Sequence, residues 1–182
     1  LKAWDTAQNV LLCSSFSKTV APGLRIGWIV PGRLQREIEL LKLSATLFTS
    51  QLAQLALAEF VANGGYDHHL RRLRVTLREQ EQRVREAVGQ SFPAGSRMTR
   101  PAGGFVLWIQ LPAKVDAVAL FRRARAAGVV IAPGPLFTSA KRFEHCIRLS
   151  FSHPWTRTLA DAIGTVGRLA RELEGRSRAG RE

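Results

Sequence analysis

Cysteine is nearly absent from this chain: Cys13 and Cys146 are the two in 182 residues, and they stand far apart. Two distant thiols build neither a disulfide framework nor a zinc knuckle, so the expectation is a pair of buried, reduced thiols in a cytoplasmic protein. Acidic residues are also scarce, 14 against 27 lysines and arginines, for a formal net charge of +13. Such an excess raises nucleic acid as a partner. The arginines, however, are spread over amphipathic segments and a tail without interleaved aromatics, and no RNA-binding signature or zinc-finger spacing occurs. A solvated basic face is the expected reading. Long apolar runs are missing too. None approaches the roughly 18 residues a membrane helix needs, and no charged-then-apolar leader opens the chain, so no membrane partner is expected. His68 and His69 are adjacent and point about 100° apart on a helix, so no metal site is expected. The chain opens at Leu1 rather than methionine and runs straight towards a strand, which reads as a fragment of something longer.

What is present has the composition of a globular protein, 46% hydrophobic and 23% charged. The apolar run Val10–Cys13 and the segment Arg25–Val30, stopped by Pro31-Gly32, predict strands. Leu34, Ile38, Leu41, Ala45 and Phe48 recur at helical spacing, and Gln51 to Ala62 is apolar nearly all round, which predicts a buried helix ended by Asn63-Gly64-Gly65. Asp67 is placed to cap a long helix reaching about Val88, with Leu70, Leu73, Leu77, Val84 and Val88 as one narrow stripe. From Ser96 onward, strand-like runs at 105–110, 129–132 and 146–151 alternate with helical patterns at 116–127 and about 158–173. Such alternation predicts an α/β or α+β layer, with a sheet face packed against helices.

The chemistry concentrates in Ser14-Ser15-Phe16-Ser17-Lys18-Thr19-Val20-Ala21-Pro22-Gly23-Leu24-Arg25-Ile26-Gly27. A strand delivers a lysine flanked by hydroxyls, and an arginine follows seven residues later. A lysine amine attacks carbonyls, while serine hydroxyls and the planar guanidinium fork make a seat for a phosphate. One small molecule needs both an amine for its aldehyde and an anchor for its phosphate, namely pyridoxal 5'-phosphate. A second candidate is Arg148, between Ile147 and Leu149 in an otherwise apolar strand. Its fork suits a bidentate clamp on a substrate carboxylate, although an arginine on the solvent face of a half-buried sheet is the plainer alternative.

These segments resemble the cofactor-lysine signature of the fold-type I pyridoxal-phosphate enzymes, the aspartate aminotransferase superfamily. The likeness extends to Pro101–Pro112 (a small-domain strand), Ala132-Pro133-Gly134-Pro135-Leu136-Phe137 (the loop over the substrate) and Cys146–Phe151. The segments 12–18, 64–74 and Ser152-His153-Pro154-Trp155 are most similar to the aminotransferase-like domain of MocR-type regulators of the GntR family. The resemblance implies that Lys18 forms the Schiff base with pyridoxal 5'-phosphate, that Ser15, Ser17 and Arg25 hold its phosphate, and that Arg148 binds the carboxylate of an amino-acid substrate or effector. It implies the end of a large cofactor domain at 1–48, linking helices at 49–95, a small C-terminal domain at 96–174 and a tail at 175–182. The family's remaining ring contacts lie upstream of the signature, so the chain holds the lysine half of a site. Two readings stay open: the effector-sensing part of a regulator, homodimeric at full length and touching DNA only through a domain before Leu1, or the C-terminal half of a free-standing aminotransferase that passes an amino group from an α-amino acid to a 2-oxo acid.

Overall fold

The computed structural model describes residues 1–140 and 142–179. The chain divides into two units, Leu1–Leu73 and Arg74–Glu182.

In the first unit, β1 (Leu12–Ser15) pairs antiparallel with β2 (Gly27–Val30), with Leu12 opposite Val30 and Ser15 opposite Gly27. The strand begins two residues later than the apolar run predicts. The reason is local: the Asp5 carboxylate accepts the Asn9 and Val10 N–H groups at 2.8 Å each, and Lys2 Nζ caps it at 3.0 Å. Those donors hold a loop and are not available to a ladder. This same donor set, the Val10 N–H first, holds the Asp5 carboxyl below the usual carboxylate range. Helix α1 (Gln35–Thr46) follows, then α2 (Gln51–Ala62), whose first turn is capped by Ser50 Oγ accepting from the Ala53 N–H. Helix α3 (Gly65–Ser91) starts ahead of Asp67, which therefore sits inside the first turn, where a carboxylate favours the positive end of the helix dipole.

Burial in this unit departs from the sequence expectation. Among its described residues only Ser17, Ile26 and Leu57 are buried. Helix α2 was expected to be covered on all sides, yet Leu52 and Leu55 are 79% and 61% exposed. Cys13, expected inside, is exposed as well. The apolar composition is real, but two short strands and two helices offer too little surface to cover it.

The second unit has a proper core. Strands β3 (Arg97–Met98), β4 (Val106–Gln110), β5 (Ala132–Pro133) and β6 (Cys146–Ser150) form an antiparallel sheet in the order β3-β4-β6-β5. Successive residues of a strand face opposite sides. Leu107, Ile109 and Ile147 accordingly turn inward, fully buried, against Leu120 and Ala124 of α4 (Ala117–Ala126) and Val166 and Ala170 of α5 (Arg157–Ala179). Val84 and Val88 of α3 complete the cluster. Trp108 and Arg148 face the other side of the sheet as cross-strand partners. Asp116 caps α4 by accepting from the Ala119 N–H. Helix α5 passes so close to the end of α3 that a Cβ added at Gly167 would lie 2.3 Å from the Ser91 carbonyl oxygen. Turned so that its amide nitrogen rather than its oxygen faces the Phe151 and His153 carbonyls, buried Gln80 donates to both and ties the turn after β6 to α3. Helix α5 runs on to Ala179, past the point where the tail at 175–182 was expected to begin; residues 180–182 lie outside the described residues.

Candidate functional site

The loop between β1 and β2 is closed by contacts at its base and its apex. At the base, the Phe16 N–H donates to the Ile26 carbonyl at 2.9 Å, extending the ladder one step, and Ser15 Oγ donates to the same carbonyl at 3.3 Å. Ser15 Oγ in turn accepts the Ser17 N–H at 3.2 Å. Arg25 comes back from the far side of the loop, and its Nη1 donates to Ser17 Oγ at 3.4 Å. Arg25 reaches this position from a left-handed backbone conformation, φ 52° and ψ 34°. Arginine does not adopt that region without cost, so the surrounding loop imposes it. At Gly27, a Cβ would stand 3.0 Å from the Ser14 carbonyl oxygen, which keeps the two ends of the loop close.

The sequence-predicted residues Ser15, Ser17 and Arg25 are therefore drawn together, with Ser17 buried at 6% exposure. Lys18 follows immediately and is exposed. A hydroxyl pair and one guanidinium form a set of polar groups suited to a phosphate group. Those residues fit the anchor of pyridoxal 5'-phosphate, with the lysine amine next in sequence.

Sequence reasoning missed what steadies the loop. The Thr19 carbonyl lies 2.8 Å from His69 Nε2, and Tyr66 Oη donates to Thr19 Oγ1 at 3.4 Å. Tyr66 also meets the Phe16 ring edge-on at 5.7 Å. The first turn of α3 thus clamps the residues on both sides of Lys18. These partners lie 47 and 50 positions downstream of Thr19, and no local pattern connects them.

In the second unit, Arg148 is exposed on β6 with its guanidinium 4.4 Å above the Phe137 ring centroid. It borders a cavity of about 400 Å³ whose other walls include Val106, Val130, Ala132, Ser150 and His153. Among the described residues Arg148 has an aromatic seat but no carboxylate within ion-pair distance. Elsewhere in this unit, Arg123 and Arg168 both donate to Glu172, and those contacts, Arg123 first, hold its carboxyl below the usual range. Burial pushes the Cys146 thiol upward. Among the described residues no cluster of histidine, cysteine and carboxylate is arranged to hold a metal ion, and no helix is long and apolar enough to cross a membrane.

Residues 3–165 match the protein family described as aminotransferase class I and II. The chain is 36% identical over 167 residues to the HTH-type transcriptional regulator YjiR of Escherichia coli, covering 92% of this chain and 36% of that protein. Among solved structures it is similar to the multiple substrate aminotransferase of Thermococcus profundus, with a TM-score of 0.86, 29% identity, and coverage of 96% of this chain and 44% of that one. It is also similar to LysN, the α-aminoadipate aminotransferase of Thermus thermophilus solved with N-(5'-phosphopyridoxyl)-L-leucine, with a TM-score of 0.83, 32% identity, and coverage of 90% and 42%. The chain thus spans about two fifths of the length of the proteins it matches.

Proposed function

This chain belongs to the class I and II aminotransferase family, whose cofactor is pyridoxal 5'-phosphate, and on that premise we propose that it forms the lysine-bearing half of an amino-acid-binding domain. The observation that carries the reading is the Arg25–Ser17–Ser15 contact chain beside Lys18. When bound, the cofactor supplies an electron sink for the bond broken at the ligand's Cα. Ser15, Ser17 and Arg25 anchor its phosphate. Lys18 would hold it covalently through Nζ, and once a ligand's own amine has displaced that nitrogen, the freed neutral amine would take up and return the Cα proton as general base and acid. The clamp of Tyr66 and His69 on Thr19 keeps the lysine from drifting with its loop. Arg148 binds the ligand's α-carboxylate through its fork of N–H donors.

The likeness to an HTH-type regulator favours the sensing role: a MocR-type protein, cytoplasmic and homodimeric, that reads an amino acid here and DNA through a separate domain before Leu1. The likeness to LysN supports the second reading, transfer of an amino group from an α-amino acid to a 2-oxo acid. We propose the domain division that the resemblance implies: the end of a cofactor domain to residue 48, linking helices 49–95, small domain 96–174 and a tail from 175.

Borohydride reduction of the complete protein loaded with pyridoxal 5'-phosphate tests the site. The cofactor should be fixed to the peptide containing Lys18, and Lys18→Ala should abolish the labelling. Label recovered on Lys42 or another lysine overturns the assignment. A winged-helix domain upstream, with DNA binding that responds to amino acids, separates the regulator from the free-standing enzyme.

A further inference from the structure

We propose that Phe137, braced by Trp108 and Phe143, is a positioning residue that holds the Arg148 guanidinium ready for a carboxylate. The proposal rests on the reading of Arg148 given above and adds what makes that arginine effective. An exposed arginine on a sheet face samples many rotamers, and ordering it on binding costs entropy. Here the guanidinium is already seated 4.4 Å above the Phe137 ring. Stacking engages the face of the guanidinium plane, while all its N–H donors lie in that plane. The aromatic seat and a bidentate carboxylate therefore occupy different parts of the group and do not compete.

The seat is itself fixed from two sides. Trp108, the cross-strand partner of Arg148, meets Phe137 edge-on at 5.6 Å and 73°. On its other flank Trp108 meets Phe143 at 5.2 Å and 82°. Phe143 holds a positive φ of 62°, and its carbonyl oxygen would be 2.3 Å from a Cβ at Gly134. Only glycine admits that approach, so the loop carrying Phe137 is pressed against the residue that braces Trp108. Arg142 lies over the outer ring, 5.2 Å from the Phe143 centroid. The result is a continuous run of contacting groups from Arg142 through Phe143, Trp108 and Phe137 to Arg148. A merely solvated arginine needs no such support.

The experiment compares L-phenylalanine with 2-phenylethylamine, which differ by the carboxylate alone, titrated into the complete protein by calorimetry. The readout is the ratio of the two affinities. Phe137→Leu should reduce that ratio about two- to fivefold, the weight of one cation–π contact at an exposed site. Phe137→Trp should retain it, because an aromatic face is restored. Equal losses for both ligands in Phe137→Leu, or an unchanged ratio, would refute the positioning role. Arg148→Gln provides the separate control. If it abolishes the ratio while Phe137→Leu spares it, the positioning role alone fails. If the unaltered protein shows no preference for the carboxylate, or Arg148→Gln keeps it, the reading of Arg148 fails and takes this one with it.

Discussion

Replacing Arg25 separates a phosphate contact from a backbone constraint, because the residue does two things at once. Its guanidinium donates to Ser17 Oγ at 3.4 Å, and its backbone stands at φ 52°. Arg25→Ala removes the guanidinium and leaves a Cβ in the left-handed region. A hydrogen bond to a charged group contributes about 1.5–3 kcal/mol, so the affinity for pyridoxal 5'-phosphate should fall roughly ten- to hundredfold. Arg25→Gly removes the same guanidinium but relieves the left-handed strain, worth about 1–2 kcal/mol per residue. The two variants should therefore bind the cofactor equally poorly, while the glycine variant melts at the higher temperature. Arg25→Lys should fall between wild type and alanine, because it keeps charge and loses the fork. Equilibrium titration followed by cofactor absorbance in the complete protein, together with thermal melting without cofactor, gives both numbers. If Arg25→Gly recovered wild-type affinity, the arginine would be acting through its backbone and the phosphate assignment would be wrong.

Gly167→Ala should destabilise the small domain by about 1–3 kcal/mol through overpacking, since its Cβ would meet the Ser91 carbonyl at 2.3 Å; helix propensity favours alanine by at most about 1 kcal/mol, so a raised melting temperature would show that the α3–α5 approach is looser than described. The Asp5 carboxyl is held low by the Val10 N–H, Lys2 and the Asn9 N–H, so its contribution is complete above the unfolded-state carboxylate pKa and is lost as pH falls through the lower folded value. Hydrogen exchange at the Asn9 and Val10 amides, corrected for the intrinsic pH dependence, should lose protection in that acidic range, and Asp5→Asn should lose it at neutral pH. Limited proteolysis of the 182-residue chain should begin within residues 1–73, where Ser17, Ile26 and Leu57 are the buried positions among the described residues, and should spare 96–174; first cleavage inside the sheet of β3–β6 would contradict that.

Local patterns carried much of this protein's structure into the sequence. The apolar periodicity placed α1, α2, α4 and α5 within a few residues at most of their ends, apart from the C-terminus of α5, because a helix end depends on near neighbours such as Ser50 and Asp116. Serine, lysine and arginine at short spacing disclosed the candidate site loop, because one turn brings Ser15, Ser17 and Arg25 within reach of each other. Burial was not decided locally. Helix α2 has the composition of a core helix and Cys13 that of a core thiol, yet both are largely exposed, since burial needs a covering surface and composition says only that one would be favourable. The contacts that fix the two candidate sites were equally invisible: Thr19 to Tyr66 and His69, Arg148 to Phe137, and Trp108 to Phe143. Each joins residues on separate elements. Their meeting depends on how strands register and helices dock, a property of the assembled backbone that no stretch of sequence contains by itself.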